Sequence, residues 1–259
     1  MPDRRRWIAV VVLSTSRARE GILVKASLVF GLFMIVAALP LAALAARSAD
    51  VETLGRLPVA AAAVIAWAAG VLVAFSASTR ALVRDRADGI VELLAARGIK
   101  PNAYVVGRSL GLSVVLFALS GGGAVSAAIG EALTAGHGAL RIAGGLVAGL
   151  VFALMFALSV APLSLAALGA RSRSGGYFAL LLILGLPELL VKYTNALLPE
   201  GWGGLLAVPS ALAALASALS PGAIDLWKVS RAFVVLAVVA AISLLVTRAQ
   251  LARAKELAS

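Results

Sequence analysis

Long stretches without any Asp, Glu, Lys or Arg constrain this 259-residue chain more than any other feature of its sequence. A helix needs about 20 mainly apolar residues to cross a hydrocarbon core of ~30 Å. Five uncharged stretches have or approach this length: Ala26–Ala46, Leu57–Thr79, Ser109–Gly130, Ile142–Ala170 and Ala232–Thr247. A sixth, from Ser174, reaches it only by continuing through Glu188 and Lys192 to Leu197. The sequence therefore predicts six membrane-spanning helices.

The composition excludes a water-soluble fold. Hydrophobic residues make up 62% of the chain and charged residues 14%, whereas soluble proteins average about 45–50% and about 25%. So few charges cannot cover the surface of so apolar a core in water. The predicted fold class is an all-α integral membrane protein, with residues 1–259 in a single transmembrane domain.

The distribution of basic residues predicts the orientation. If the N-terminus is cytoplasmic, the segments 1–25, 80–108, 171–173 and 248–259 face the cytoplasm and contain 17 of the 23 Lys and Arg residues. This asymmetry is the positive-inside pattern and predicts that both termini are cytoplasmic. The net charge of +11 then reflects topology and contact with lipid headgroups, and nucleic acid is not an expected partner. Together with the predicted spans, the excess of arginine over lysine and the abundance of Ala and Gly indicate a multi-pass protein of a bacterial plasma (inner) membrane.

Residues 1–25 resemble a secretory signal at first sight, since Arg4–Arg6 precede the apolar run Trp7–Leu13. The run is minimal, however, no small-residue cleavage site follows it, and Arg17 and Arg19 come next. An amphipathic helix on the cytoplasmic membrane surface fits this pattern better.

The uncharged segment 201–224 is too broken for an ordinary span. It contains Pro209, Pro221 and several glycines and serines. Its uninterrupted part, Leu205–Leu219, would be only about 22 Å long as a helix. We expect a re-entrant segment between spans five and six, on the outer side of the membrane. A seventh span is the alternative, which would move the basic C-terminal tail outside and weaken the charge asymmetry.

The predicted cytoplasmic loop 80–108 contains the most informative pattern in the chain. Gly89 is predicted to divide a helix there, Gly98 to end it and Lys100-Pro101 to begin the next one, and Arg84 and Asp88 have the spacing of an i,i+4 pair. A series of apolar residues recurs on one side at helical spacing: Val83, Ala87, Ile90, Val91 and Leu94. Two interpretations remain open: a solvated, salt-bridged loop helix, or a helix that lies in a groove of a soluble partner.

The motif Asp85-x-x-x-Gly89-x-x-Glu92-x-Leu94, with Pro101, Tyr104 and Gly107-Arg108 after it, resembles the cytoplasmic loop of permease subunits of type-2 ABC exporters. In that family a coupling helix between spans two and three contacts the ATPase. An N-terminal interface helix, six spans and a re-entrant segment between spans five and six complete the likeness. The turn Arg97-Gly98-Ile99-Lys100 departs from the shorter turn that is common there.

The resemblance implies an ATP-driven exporter in which this chain pairs with a second permease copy, identical or related. It implies cytosolic ABC ATPase subunits as partners, with membrane lipid around the permeases. This chain has no G-x-x-x-x-G-K-[ST] motif, so ATP and Mg²⁺ are expected in the ATPase and neither a cofactor nor a catalytic residue here. The residues implied in ATPase coupling are Asp85, Asp88, Gly89, Ile90, Glu92, Leu93 and Leu94.

Other constellations of polar residues are sparse. The chain has no cysteine and one histidine, which excludes disulfides and thiolate metal sites. Glu188 and Lys192, one helical turn apart, form either an external gate or a self-satisfied pair at the outer headgroup boundary. An ion-coupled secondary transporter is the alternative function, with Glu188 as its one candidate acid. An enzyme acting on lipid would need a cluster of His, Asp or Glu at one membrane face, and the sequence contains none.

Overall fold

The computed structural model describes residues 2–46, 56–134, 138–170, 173–197, 202–219 and 224–256, and these contain helices and no strands. In chain order the helices are α1 (Pro2–Arg17), α2 (Ile22–Ala46), α3 (Leu57–Ile65), a π-helical turn (Ala66–Gly70), α4 (Val71–Ser78), α5 (Ala81–Ala87), α6 (Ile90–Ala96), α7 (Pro101–Thr134), α8 (Ala139–Leu168), α9 (Arg173–Leu197), a 3₁₀ turn (Gly203–Leu206), α10 (Val208–Ala218) and α11 (Leu226–Glu256).

The six predicted spans are present, since six helical segments of the described chain are long and apolar enough to cross a membrane. These six segments comprise α2, the continuous run that starts with α3 and α4, and helices α7, α8, α9 and α11. Several extend beyond the uncharged stretches: α2 begins at Ile22, before Lys25, and α7 begins at Pro101 rather than Ser109. A charged side chain stops a hydropathy count, but it does not stop a helix whose end lies outside the hydrocarbon.

Helix α7 lies at the centre of the bundle. In its most apolar 18-residue window 67% of residues are buried, against 17% in α2, α9 and α11. Glycines let its neighbours approach closely, as is usual between membrane helices. A methyl group at Gly130 would lie 2.6 Å from Cβ of Ala42 in α2, and one at Gly123 would overlap Ile65 of α3. Because so few of their residues are buried, helices α2, α9 and α11 lie at the periphery and expose wide apolar faces.

The second span contains the π-helical turn Ala66–Gly70. Trp67 in this turn packs edge-on against Phe156 of α8, with ring centroids 6.5 Å apart. A methyl group at Gly70 would lie 2.9 Å from the same Phe156 ring. The extra residue of the π turn thus positions one aromatic side chain and one glycine on the same partner.

The segment 201–224 contains the 3₁₀ turn and α10 but no spanning helix in its described part. The 11 residues of α10 measure about 16 Å, half of what a span needs. Its Leu212 and Leu215 are fully buried in the main core together with Ala232 and Leu236 of α11. The described part of this segment is therefore a short helix packed in the core, and its entry into the membrane from outside stays a prediction.

Candidate functional site

The candidate site is the end of the bundle where the loop between the second and third spans folds back on the helices. Backbone hydrogen bonds join the start of α5 to the end of α8, since the amides of Arg80 and Leu82 donate to the carbonyls of Leu168 and Gly169. Arg80 adopts a left-handed conformation, with φ +56°, which turns the chain sharply after α4. The amides at the start of α5, which have no partner within their own helix, thereby bond to carbonyls at the end of α8.

Asp85 of α5 forms a buried ion pair with Arg108 of α7. Its Oδ2 lies 3.1 Å from Nε of Arg108, and the two side chains are only 5% and 8% exposed. The hydroxyl of Tyr104, one turn earlier on α7, donates to the same oxygen at 2.6 Å. Two groups from one helix face therefore hold α5 against α7. A buried pair of this kind tolerates the loss of one partner poorly, because the remaining charge stays buried and uncompensated.

The N-terminal helix joins the same network. Arg108 donates from a guanidinium nitrogen to the carbonyl of Ser14 in α1, at 3.1 Å. Gly107 and Gly111 of α7 form the bed on which α1 rests, because a methyl group at either would overlap Val10 or Ser14. The G-x-x-x-G spacing in α7 is thus a helix contact, and α1 packs on protein over this face.

Asp88 at the end of α5 pairs with Arg17 at the end of α1. Nη1 of Arg17 and Oδ2 of Asp88 are 2.6 Å apart. This hydrogen bond raises the pKa of the Arg17 guanidinium above its ordinary value. The predicted Arg84–Asp88 pair is therefore wrong: Arg84 donates instead to the carbonyl of Thr79, at 2.8 Å. The partner of Asp88 comes from 71 residues away, which helix periodicity does not reveal.

The division of the loop at glycines is confirmed. Gly89 lies between α5 and α6 with φ +68° and Gly98 follows α6 with φ +72°, a backbone region that glycine adopts without strain. After Gly98, the amide of Ile99 donates back to the carbonyl of Leu94, which closes the end of α6.

Helix α6 has one face against the protein and one face in solvent. Leu94 is buried in a second apolar core, the loop cluster, with Ile90 packed against it. The other buried members of the loop cluster are Val10, Leu82, Tyr104, Val105 and Leu251. Glu92 is exposed and Leu93 is 52% exposed. The seven residues implied in coupling thus separate into buried Asp85 and Leu94, half-buried Ile90, and exposed Asp88, Gly89, Glu92 and Leu93.

The last helix closes this end of the bundle. Arg86 of α5 donates to the carbonyl of Leu251 in α11 at 2.5 Å, and Gln250 donates to the carbonyl of Ala166 in α8 at 3.0 Å. Between α6 and α11 a cavity of about 650 Å³ remains open, with Arg86, Glu92, Lys100 and Arg248 among the residues that line it.

Glu188 lies towards the opposite end of the bundle and contacts the first turn of α10. Its carboxylate accepts hydrogen bonds from the amide and hydroxyl of Ser210, at 3.1 and 2.8 Å. A carboxylate at a helix N-terminus satisfies free amides and opposes the helix dipole. Lys192 is in α9, but its side chain lies outside the described residues. At the start of α11, the amides of Lys228 and Trp227 donate to Asp225, and these bonds lower the pKa of its carboxyl.

Glu131 was not identified from the sequence. It lies in the last turn of α7 and is fully buried. The sequence signal that could have drawn attention to it is its position directly after the uncharged stretch Ser109–Gly130, within reach of a spanning helix.

The described residues contain no group of three or more His, Asp or Glu side chains placed to hold a metal ion. What this end of the molecule offers chemically is a short helix with an exposed acidic and apolar face, fixed from beneath by α1, α7 and α11. Comparison of the chain with protein-family models and with curated proteins finds no match in either.

Proposed function

We propose that this chain is the membrane-spanning permease subunit of an ATP-driven ABC exporter. It forms the substrate path together with a second permease copy and receives its driving force from separate cytosolic ATPase subunits. In this proposal both termini and the loop 80–108 are cytoplasmic, the membrane is the bacterial inner membrane, and ATP and Mg²⁺ bind to the ATPase alone. The segment 201–224 enters the membrane from outside without crossing it.

One observation carries the proposal: α6 combines an exposed recognition face with a rigid underside. Exposed Glu92 and Leu93 are available to a soluble partner, while Leu94 on the opposite face packs in the loop cluster. The exposed face of α6 places an acid beside a leucine, which suits docking against another protein, whereas Ile90, Val91 and Leu94 pack towards the bundle.

Force applied to α6 would reach the spans through contacts that resist sliding. Only Asp88 and the left-handed Gly89 lie between α5 and α6, and Asp85 on α5 pairs with Arg108 of the central helix. Arg86 extends the connection to α11. Closure of an ATPase dimer beneath the loop would therefore move α7 and α11 together, which is the coupled movement that alternating access requires.

The test is photo-crosslinking at Leu93. Benzoylphenylalanine replaces Leu93 in the full chain, membranes from the source cell are irradiated, and adducts are probed with radiolabelled 8-azido-ATP. We expect an adduct that carries the nucleotide label. Its absence, in membranes where the variant is inserted normally, would contradict the proposal.

Charge reversal provides a matched pair of variants. We expect Glu92→Lys to abolish co-purification of the labelled subunit, because it places a cation on the recognition face. Glu188→Lys makes the same change at an exposed carboxylate of α9, away from the loop, and should leave the complex intact. Equal loss in both variants would indicate a general charge effect rather than a contact with α6.

An ion-coupled secondary transporter is the second candidate, and one observation favours it: the fully buried carboxylate of Glu131 in a spanning helix. Ionisable groups in such positions are costly and frequently functional. Transport by the reconstituted chain alone, driven by a proton gradient without ATP and lost in Glu131→Gln, would support this candidate over the first.

A further inference from the structure

The cavity between α6 and α11 has the shape and charge of a ligand site, and Glu92 and Leu94 of α6 are among the residues that line it. Its volume of about 650 Å³ lies within the range of ~300–1,000 Å³ found for small-molecule sites. Its walls come from the loop, from the first turn of α7 and from the last turns of α11. It therefore lies where the apolar helices end and the polar loop begins.

The charges around the cavity are mainly positive. Arg86, Lys100 and Arg248 line it, with Glu92 as the only acid among the lining residues. Asp85 does not compensate them, because Tyr104 stands between it and the cavity and Arg108 already pairs with it. The hydrogen bond to Leu251 fixes the guanidinium of Arg86 at the wall, whereas Lys100 and Arg248 are exposed at the rim.

Apart from Asn102 and Tyr104, the rest of the lining is apolar and includes Val91, Leu94, Ile99 and Leu251. A small polar anion would be surrounded there mostly by groups that cannot hydrogen-bond to it. An amphiphile, with a phosphate at the basic rim and a glycerol and acyl chain against the apolar wall, would satisfy both parts. Basic pockets between spanning helices at the cytoplasmic surface bind anionic lipid headgroups for this reason.

We infer that this cavity is a binding site for one anionic phospholipid, whose headgroup phosphate contacts Arg86, Lys100 and Arg248 while its glycerol and upper acyl chain pack against Val91 and Leu251. The bound lipid bridges α6 and α11. It thereby makes the position of the loop helix depend on the composition of the surrounding leaflet. The inference rests on the cavity and not on the identity of any ATPase, so it stands or falls independently of the proposed function.

The test is native mass spectrometry of the full detergent-purified chain, titrated with dioleoylphosphatidylglycerol, dioleoylphosphatidylcholine or inorganic phosphate. We expect a first phosphatidylglycerol adduct at lower concentration than the phosphatidylcholine adduct. Lys100→Gln and Arg248→Gln should each weaken it about fivefold, since one basic residue near a phosphate contributes roughly that factor. Glu92→Gln should act in the opposite direction and strengthen it.

Two controls separate this site from general attraction to a basic protein. Arg19→Gln removes an exposed charge that does not line the cavity and should leave the first adduct unchanged. Ala252→Trp fills the cavity without altering its charge and should abolish the preference for phosphatidylglycerol. Equal affinity for the two lipids, or weakening by Arg19→Gln as large as by Arg248→Gln, would overturn the inference. Displacement of the lipid by millimolar inorganic phosphate would also overturn it, in favour of a free-phosphate site.

Discussion

Two carboxylates at opposite ends of the bundle perform the same structural task by different means. Asp85 attaches the loop helices to α7 through a buried ion pair and a tyrosine hydroxyl. Glu188 attaches α10 to α9 through the amide and hydroxyl of Ser210, and this carboxylate is exposed. The difference teaches that what a carboxylate contributes depends on its burial more than on the number of its hydrogen bonds. It predicts that the loop end depends strongly on Asp85, whereas α10, with Leu212 and Leu215 in the main core, depends little on Glu188.

Removal of the buried carboxylate should have the largest effect. Asp85→Ala leaves Arg108 buried without its counter-charge, which costs about 3–5 kcal/mol. The free energy of unfolding, measured by SDS titration in mixed micelles, should fall by that amount. The double variant Asp85→Leu with Arg108→Met removes both charges and should recover most of the loss. If it were as unstable as the single variant, the ion pair would not be the source of the effect.

Removal of the Tyr104 hydroxyl, which donates to Asp85, should have the second largest effect. Tyr104→Phe keeps the ring in the loop cluster but removes one hydrogen bond to a charged group, which contributes about 1.5–3 kcal/mol. Measured in the Asp85→Ala background, the same substitution should cost much less, because its acceptor is absent. Equal costs in both backgrounds would show that Tyr104 acts through packing alone.

Disturbing the packing of α1 on α7 should have the third largest effect on the free energy of unfolding. Gly111→Ala places a methyl group 2.8 Å from the amide nitrogen of Thr15, and overpacking of this kind costs about 1–3 kcal/mol. Gly144→Ala is the matched control, because nothing lies within 4 Å of its added methyl group. It should be neutral or stabilising by up to ~1 kcal/mol through helix propensity. Equal effects on the free energy of unfolding would contradict close packing of α1.

The smallest effect is expected at the other end. Glu188→Ala removes an exposed carboxylate from the first turn of α10, an interaction of about 0.5–1 kcal/mol. Hydrogen exchange of the α10 amides should nevertheless increase, since they lose their link to α9. A loss of global stability as large as that of Asp85→Ala would break the comparison between the two ends.

The parts of the fold that follow from local physics could be predicted. Uncharged length gave the six spans, and the backbone freedom of glycine gave the breaks at Gly89 and Gly98. The ends of the spans were harder, because α7 and α11 continue as helices through charged residues. Hydropathy measures where a helix leaves the hydrocarbon, not where its hydrogen bonds stop.

The candidate site was less accessible to such reasoning. Asp85 carried an expected role in contact with a partner, yet its side chain faces inward to Arg108. The sequence contains both residues but not the direction in which α5 turns after Arg80, and that direction depends on α8. Glu131 is a similar case, since its side chain is fully buried although it lies just past the end of an uncharged stretch.

The hydrogen bonds of the loop network join residues that the ribosome makes at different times. Asp85 and Tyr104 are 19 residues apart, whereas Ser14 and Arg108 are 94 apart. At a translation rate of about 5–20 residues per second, α1 waits roughly 5–20 s for the helix on which it rests. During that interval the helix on which it rests is not yet made, and the bilayer surface is an available place for its apolar face. We therefore expect α1 to meet lipid before it meets α7, whose glycines provide its later position.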